Sequence, residues 1–123
     1  MSGGALLAGL AVLAAGCAPG ATVHGKVATE TGHAIPEAEV RIQAGGAAGR
    51  VVRTNADGVY VASYPREAEG TPELAVARSG FEPVVVELQT AASYRCDVML
   101  KPAPRPSPPA RRLRWPQTCT RTD

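Results

Sequence analysis

The sequence predicts an all-β domain, a sandwich or small barrel of about seven strands. Three observations predict it. Between residues 21 and 100, short segments alternate apolar and polar side chains with a period of two. Turn signals separate these segments at regular spacing: Thr31-Gly32, Gly45-Gly46, Asn55-Ala56-Asp57-Gly58 and Ser79-Gly80. No part of that region carries the 3.6-residue period of an amphipathic helix.

The first element precedes the strands. Residues 5–15 form an apolar run that contains no charge. A bilayer-spanning helix needs roughly 20 such residues, so the run has the length of a signal-peptide core instead. It ends in Ala14-Ala15-Gly16-Cys17, followed by Ala18-Pro19-Gly20. Small residues before a cysteine resemble the lipobox of bacterial lipoproteins. That resemblance implies cleavage before Cys17, lipid on its thiol, and the membrane as a partner through that lipid. Two features depart from the lipobox pattern: Ala14 stands where Leu is usual, and no Lys or Arg precedes Lys26. The alternative is an ordinary secretory signal that leaves Cys17 as a free thiol. The implied location is the bacterial cell envelope, and Ala18 after the cysteine points to the outer membrane. Residues 1–16 are thus the signal peptide, and 17–21 the lipid attachment site and a short linker.

The strands follow in order. Val23, Gly25 and Val27 share one face of the first. In the second, Ala38, Val40 and Ile42 face one way and Glu39, Arg41 and Gln43 the other. Residues 50–54 make the third and 59–63 the fourth, joined by the tight turn at Gly58, where glycine takes the left-handed region without steric cost. Residues 73–78 are the fifth. Val84, Val86 and Leu88 alternate with Val85 and Glu87 in the sixth, and Cys96, Val98 and Leu100 line one face of the seventh.

Four stretches resemble, in order, the motifs of carboxypeptidase regulatory-like domains. Val23-His24-Gly25-Lys26-Val27 runs on through Ile35-Pro36 to Ala38-Glu39-Val40. Thr54-Asn55-Ala56-Asp57-Gly58-Val59-Tyr60 matches their hairpin, Gly80-Phe81-Glu82-Pro83 their later turn, and Cys96-Asp97-Val98-Met99-Leu100 their closing strand. The resemblance covers residues 22–101. It implies a single seven-stranded Greek-key prealbumin-like sandwich and burial of Tyr60 and Phe81.

Residues 102–123 form a Pro/Arg-rich tail expected to be extended. From Lys101 onward six cations face only Asp123, so this stretch carries +5 of a formal net charge of +2, and the rest carries −3. The tail reads as a solvated linker or as a basic arm on an acidic body. The overall charge is too small to argue for nucleic acid. Trp115, beside Arg112 and Arg114, is a candidate partner anchor or a ring lying on the domain surface.

If Cys17 takes lipid, Cys96 and Cys119 remain as an even pair in an oxidising compartment. They are expected either to form a disulfide or to leave Cys96 as a buried apolar side chain. Neither His24 nor His33 stands in a metal-ligand spacing, so no metal and no cofactor is expected. No nucleophile-elbow or phosphate-loop motif occurs, and residues 45–49 read as a strand connection. Two relatives of the fold carry chemistry. Hydroxyisourate hydrolases end in a motif this chain lacks; it has Tyr94-Arg95-Cys96-Asp97 instead. In isopeptide-forming adhesin domains a buried acid assists, and Leu74 fills that position here. The expected function is therefore a non-catalytic envelope lipoprotein, a binding or structural accessory module with a protein or glycan partner. The alternative is a carbohydrate-binding module, for which Tyr60, Tyr64, Phe81, Tyr94 and Trp115 are the available aromatics.

Overall fold

Alternation becomes two facing sheets in the computed structural model, which describes residues 21–65, 70–104, 109–114 and 118–122. Eleven strands occur there: β1 (Thr22–Thr29), β2 (Glu39–Ala44), β3 (Ala47–Ala48), β4 (Val52–Arg53), β5 (Val59–Ser63), β6 (Glu73–Ala77), β7 (Val84–Glu87), β8 (Tyr94–Cys96), β9 (Val98–Leu100), β10 (Arg111–Arg114) and β11 (Cys119–Arg121). No helix occurs among the described residues. One sheet runs β11-β8-β1-β5, with β9 continuing β8 alongside β1; the other runs β10-β7-β6-β2, with β3 and β4 both along the far edge of β2. The fold is an all-β sandwich.

The predicted apolar faces are the ones that meet. Val23, Val27, Val40, Ile42, Leu74, Val76, Val84, Val86, Val98 and Leu100 are all fully buried. Burying a Val or Leu side chain contributes about 1.5–3 kcal/mol each. Tyr60 and Tyr94 lie in the same core, and Phe81 packs half-buried against it. Thr54 is a buried polar side chain. Its hydroxyl donates to the Ile35 carbonyl at 2.6 Å and accepts from the Ala38 amide at 2.9 Å. Those bonds fasten the turn 35–38 to the start of the hairpin. Glu37 sits in that turn at a φ of 63°, the left-handed region that L-residues with a Cβ avoid.

Two predicted strands differ in the structure. Segment 50–54 narrows to β4, and β3 forms before it, within the stretch expected to be a connection. A Cβ on Gly49, between them, would lie 2.9 Å from the Ser63 carbonyl oxygen, so the chain bulges where only glycine fits. Strand 95–100 divides at Asp97 into β8 and β9. There the Cys96 carbonyl turns into the sandwich over Gly25, where a Cβ would come within 1.8 Å of it. Gly25 is thus required for the close approach of β1 to β8. Gly58 has a φ of 77°, and a Cβ there would lie 2.5 Å from the Val27 carbonyl oxygen.

The tail takes the course that a Cys96–Cys119 disulfide implies, back onto the sandwich, and not that of a solvated linker. It is extended, but it adds a strand to each sheet. β10 pairs in parallel with β7, aligning Arg111 to Arg114 with Val84 to Glu87. β11 pairs antiparallel with β8, setting Cys119 opposite Cys96. Leu113 packs against the core and Cys119 belongs to it. Proline density in the sequence marks an extended chain, but it does not say whether a sheet edge is free to receive one.

Candidate functional site

The tail is held at both ends. Cys96 and Cys119 face each other across β8 and β11 and are joined by a disulfide. On β10, the Arg111 guanidinium donates to the Met99 carbonyl at 2.7 Å. The Arg112 guanidinium pairs with the carboxylates of Glu73 and Glu87, and Arg114 lies 3.9 Å from Glu87. Arg112 and Arg114, candidate partner contacts beside Trp115, both stand on the outer face of the second sheet: Arg112 bridges two strands of its own sheet at 54% exposure, and Arg114 stays 86% exposed. Cys17 and Trp115 lie outside the described residues.

The register of β2, β6, β7 and β10 builds the outer face of the second sheet. One row across it is Arg41, Ala75, Val85, Arg112; the next is Gln43, Glu73, Glu87, Arg114. Gln43 donates to Glu73 at 3.3 Å. Near the β2–β3 hairpin this face dips into an open groove of about 570 Å³, lined by Arg41, Gln43, Gly45, Gly46, Thr71 and Glu73 among others. Small side chains make the dip: Ala44, Ala47 and Ala48 also line it. Gly45 and Gly46 both have positive φ, 56° and 84°, as a two-residue turn between paired Ala44 and Ala47 demands. The strand connection expected at residues 45–49 is thus a tight hairpin turn.

The other sheet presents a different surface. Val59, Val61 and Met99 stand exposed on it. Arg95 and Asp97 form an ion pair at 3.4 Å, and Asp97 also accepts from the Lys26 amide at 3.1 Å. His24 is exposed on β1, and His33 bonds Thr31 in its turn at 2.8 Å. Among the described residues no three side chains of the metal-ligating types are grouped. Tyr60 is buried, and its hydroxyl donates to the Cys96 carbonyl at 2.7 Å. Burial, and then the charge of Asp97, push its pKa far above the ordinary tyrosine value. Tyr94 is buried too, and Tyr64 is half-buried with its hydroxyl donating to the Ala92 carbonyl. No exposed aromatic platform for stacking a sugar remains among the described residues.

Sequence reasoning picked out Cys96, Cys119, Arg112 and Arg114, which the structure gathers on the tail strands and their neighbours. It missed the groove. Arg41 and Gln43 stand in the sequence only as the polar side of a strand and Glu73 only as the start of one, and cross-strand register is not written in any one of them.

The sequence model of one family, described as the carboxypeptidase regulatory-like domain, matches residues 22–101. Among curated proteins none matches. Solved structures resemble the chain in fold. Chlorocatechol 1,2-dioxygenase from Pseudomonas putida superposes with a TM-score of 0.50 at 12% identity, over 65% of this chain and 59% of that one. Catechol 1,2-dioxygenase from Acinetobacter radioresistens gives 0.49 at 13%, over 76% and 56%. A streptococcal ancillary pilin gives 0.46 at 12%, over 69% and 33%. In each case the likeness spans less than two thirds of the other chain, and at such identities it concerns the fold alone.

Proposed function

This chain belongs to the carboxypeptidase regulatory-like domain family, and from that premise we propose that it is a non-catalytic binding or structural accessory module of the bacterial cell envelope, anchored through lipid on Cys17. The observation that carries the binding reading is the outer face of the second sheet. Arg41, Gln43, Glu73, Glu87, Arg112 and Arg114 stand there on strands whose positions are fixed by pairing. Polar groups held by a rigid sheet meet a partner with little ordering cost. Among the described residues the strongly shifted group is Tyr60, buried and committed to Cys96, which suits a scaffold role more than proton transfer.

The lipid anchor is supported by Ala14-Ala15-Gly16-Cys17 after an apolar run of signal-peptide length. Two or three acyl chains hold a protein stably to a bilayer. A photo-crosslinking residue placed at Ala75, beside Arg41 on this face, in full-length protein in its own cells, tests the binding reading. An adduct of defined mass at position 75, absent with the same residue at Val61 on the opposite face, is the expected result. No adduct at position 75 would count against this face.

A second reading, a carbohydrate-binding module, is favoured by the groove and opposed by the burial of Tyr60 and Tyr94. A site of this kind would hold sugar by hydrogen bonds and charge, without ring stacking.

A further inference from the structure

We infer that the groove beside the β2–β3 hairpin is a binding site for a carboxylate-bearing sugar, with Arg41 as its anion-recognising group. The inference takes the binding-module reading as its ground and names the ligand class.

Charge is the first argument. On β2, β4, β6, β7 and β10 the cations and carboxylates of this face are matched with each other except at one point. Arg53 pairs with Glu37 and Glu39, Arg112 with Glu73 and Glu87, and Arg114 approaches Glu87. Among the described residues no carboxylate lies within ion-pairing distance of Arg41. Glu73, the acid in the groove, is already neutralised by Arg112 and bonded by Gln43. The groove therefore carries one uncompensated guanidinium, a planar fork of donors suited to a carboxylate.

Shape is the second. Arg41 is paired across the sheet with Ala75, and the hairpin beyond Gln43 is built of Gly45, Gly46, Ala47 and Ala48. With short side chains around it, Arg41 looks onto open space of about 570 Å³, a volume of the size small-molecule sites have.

The third argument separates a sugar from a peptide. Extended peptides bind sheets by adding a strand to a free edge. β2 has no free edge: β6 pairs along one side, and β3 and β4 along the other. β3, the edge strand beside the groove, has only two residues and is too short to take an added strand, so recognition in the groove falls to side chains. Gln43 and Thr71 supply both donors and acceptors, and Glu73 supplies acceptors, which is what sugar hydroxyls require.

The test is calorimetric titration of the full-length chain in detergent at low salt, with trigalacturonate as probe. Neutral trigalactose and a pentaglutamate peptide are the comparison ligands. Trigalacturonate is expected to bind, and to bind at least tenfold more weakly to Arg41→Gln. Binding should be unchanged in Arg95→Gln, on the opposite sheet, and should weaken as salt screens the charge. Both variants change exposed side chains, and an unchanged melting temperature verifies their folding. Equal affinity in Arg41→Gln, equal binding of trigalactose, or equal binding of pentaglutamate would overturn the inference. Absence of trigalacturonate binding while a cross-link at Ala75 still forms would overturn it too, and would leave the binding-module reading standing.

Discussion

The hydroxyl of Tyr60 donates to the carbonyl of Cys96 at 2.7 Å, inside the sandwich. That carbonyl is free to point inward because Gly25 has no side chain beneath it, and because the strand breaks at Asp97. One bond thus ties the hairpin of β5 to the cysteine that holds the tail. Tyr60→Phe removes the donor and leaves a buried carbonyl unsatisfied. A loss of about 1–3 kcal/mol is expected, read from urea denaturation.

Tyr60 also sets a pH dependence. Its pKa is raised in the folded state, so folding favours the neutral phenol. Its contribution is fully present below the unfolded-state value of about 10 and is lost as pH rises through the folded-state value. The stability gap between wild type and Tyr60→Phe should therefore narrow above about pH 10. A gap constant from pH 7 to the alkaline limit of folding would contradict this account of the shift.

Gly25→Ala should be among the most damaging substitutions in the chain, because its methyl would meet the backbone of Cys96 at 1.8 Å. Backbone cannot swing aside as a side chain can, and a cost of about 3 kcal/mol or more follows. Gly58→Val should cost about 2 kcal/mol or more, from its positive φ and its contact with the Val27 carbonyl. Thermal denaturation ranks the two.

Glu37→Gly should act in the opposite direction. Glu37 holds a φ of 63°, which costs a residue with a Cβ about 1–2 kcal/mol. The ion pair it loses to Arg53, at 3.8 Å, is well exposed and worth little. A net gain of up to about 1 kcal/mol is expected, and a lower melting temperature would show that the turn needs the side chain.

Cys119→Ser removes the cross-link that closes the chain between Cys96 and Cys119. The expected loss is about 3 kcal/mol, with faster hydrogen exchange at the backbone amides of β11. Amides of β10 should be less affected, since Arg111, Arg112 and Leu113 hold that strand separately.

What the sequence made legible follows from where its signals are local. Alternation at Val23, Val27, Val40 and Ile42 and glycine at the turns place the core and the hairpins, because each needs only its near neighbours. The inward turn of the Cys96 carbonyl depends on Gly25, 71 positions away, and the division of that strand was therefore invisible. Pairing of β10 with β7 was invisible for the same reason: Arg-Arg-Leu-Arg has one apolar residue, Leu113, and reads as solvated until Glu73 and Glu87 are beside it. The groove beside Arg41 depends on three strands at once.

The central functional claim is that this sandwich is an anchored envelope module, and the mature N-terminus tests it most directly. Mass spectrometry of unreduced protein extracted from its own membranes should find an N-terminal peptide that begins at Cys17 and carries lipid. A mature chain that begins elsewhere, with the Cys17 thiol unmodified, would contradict the account.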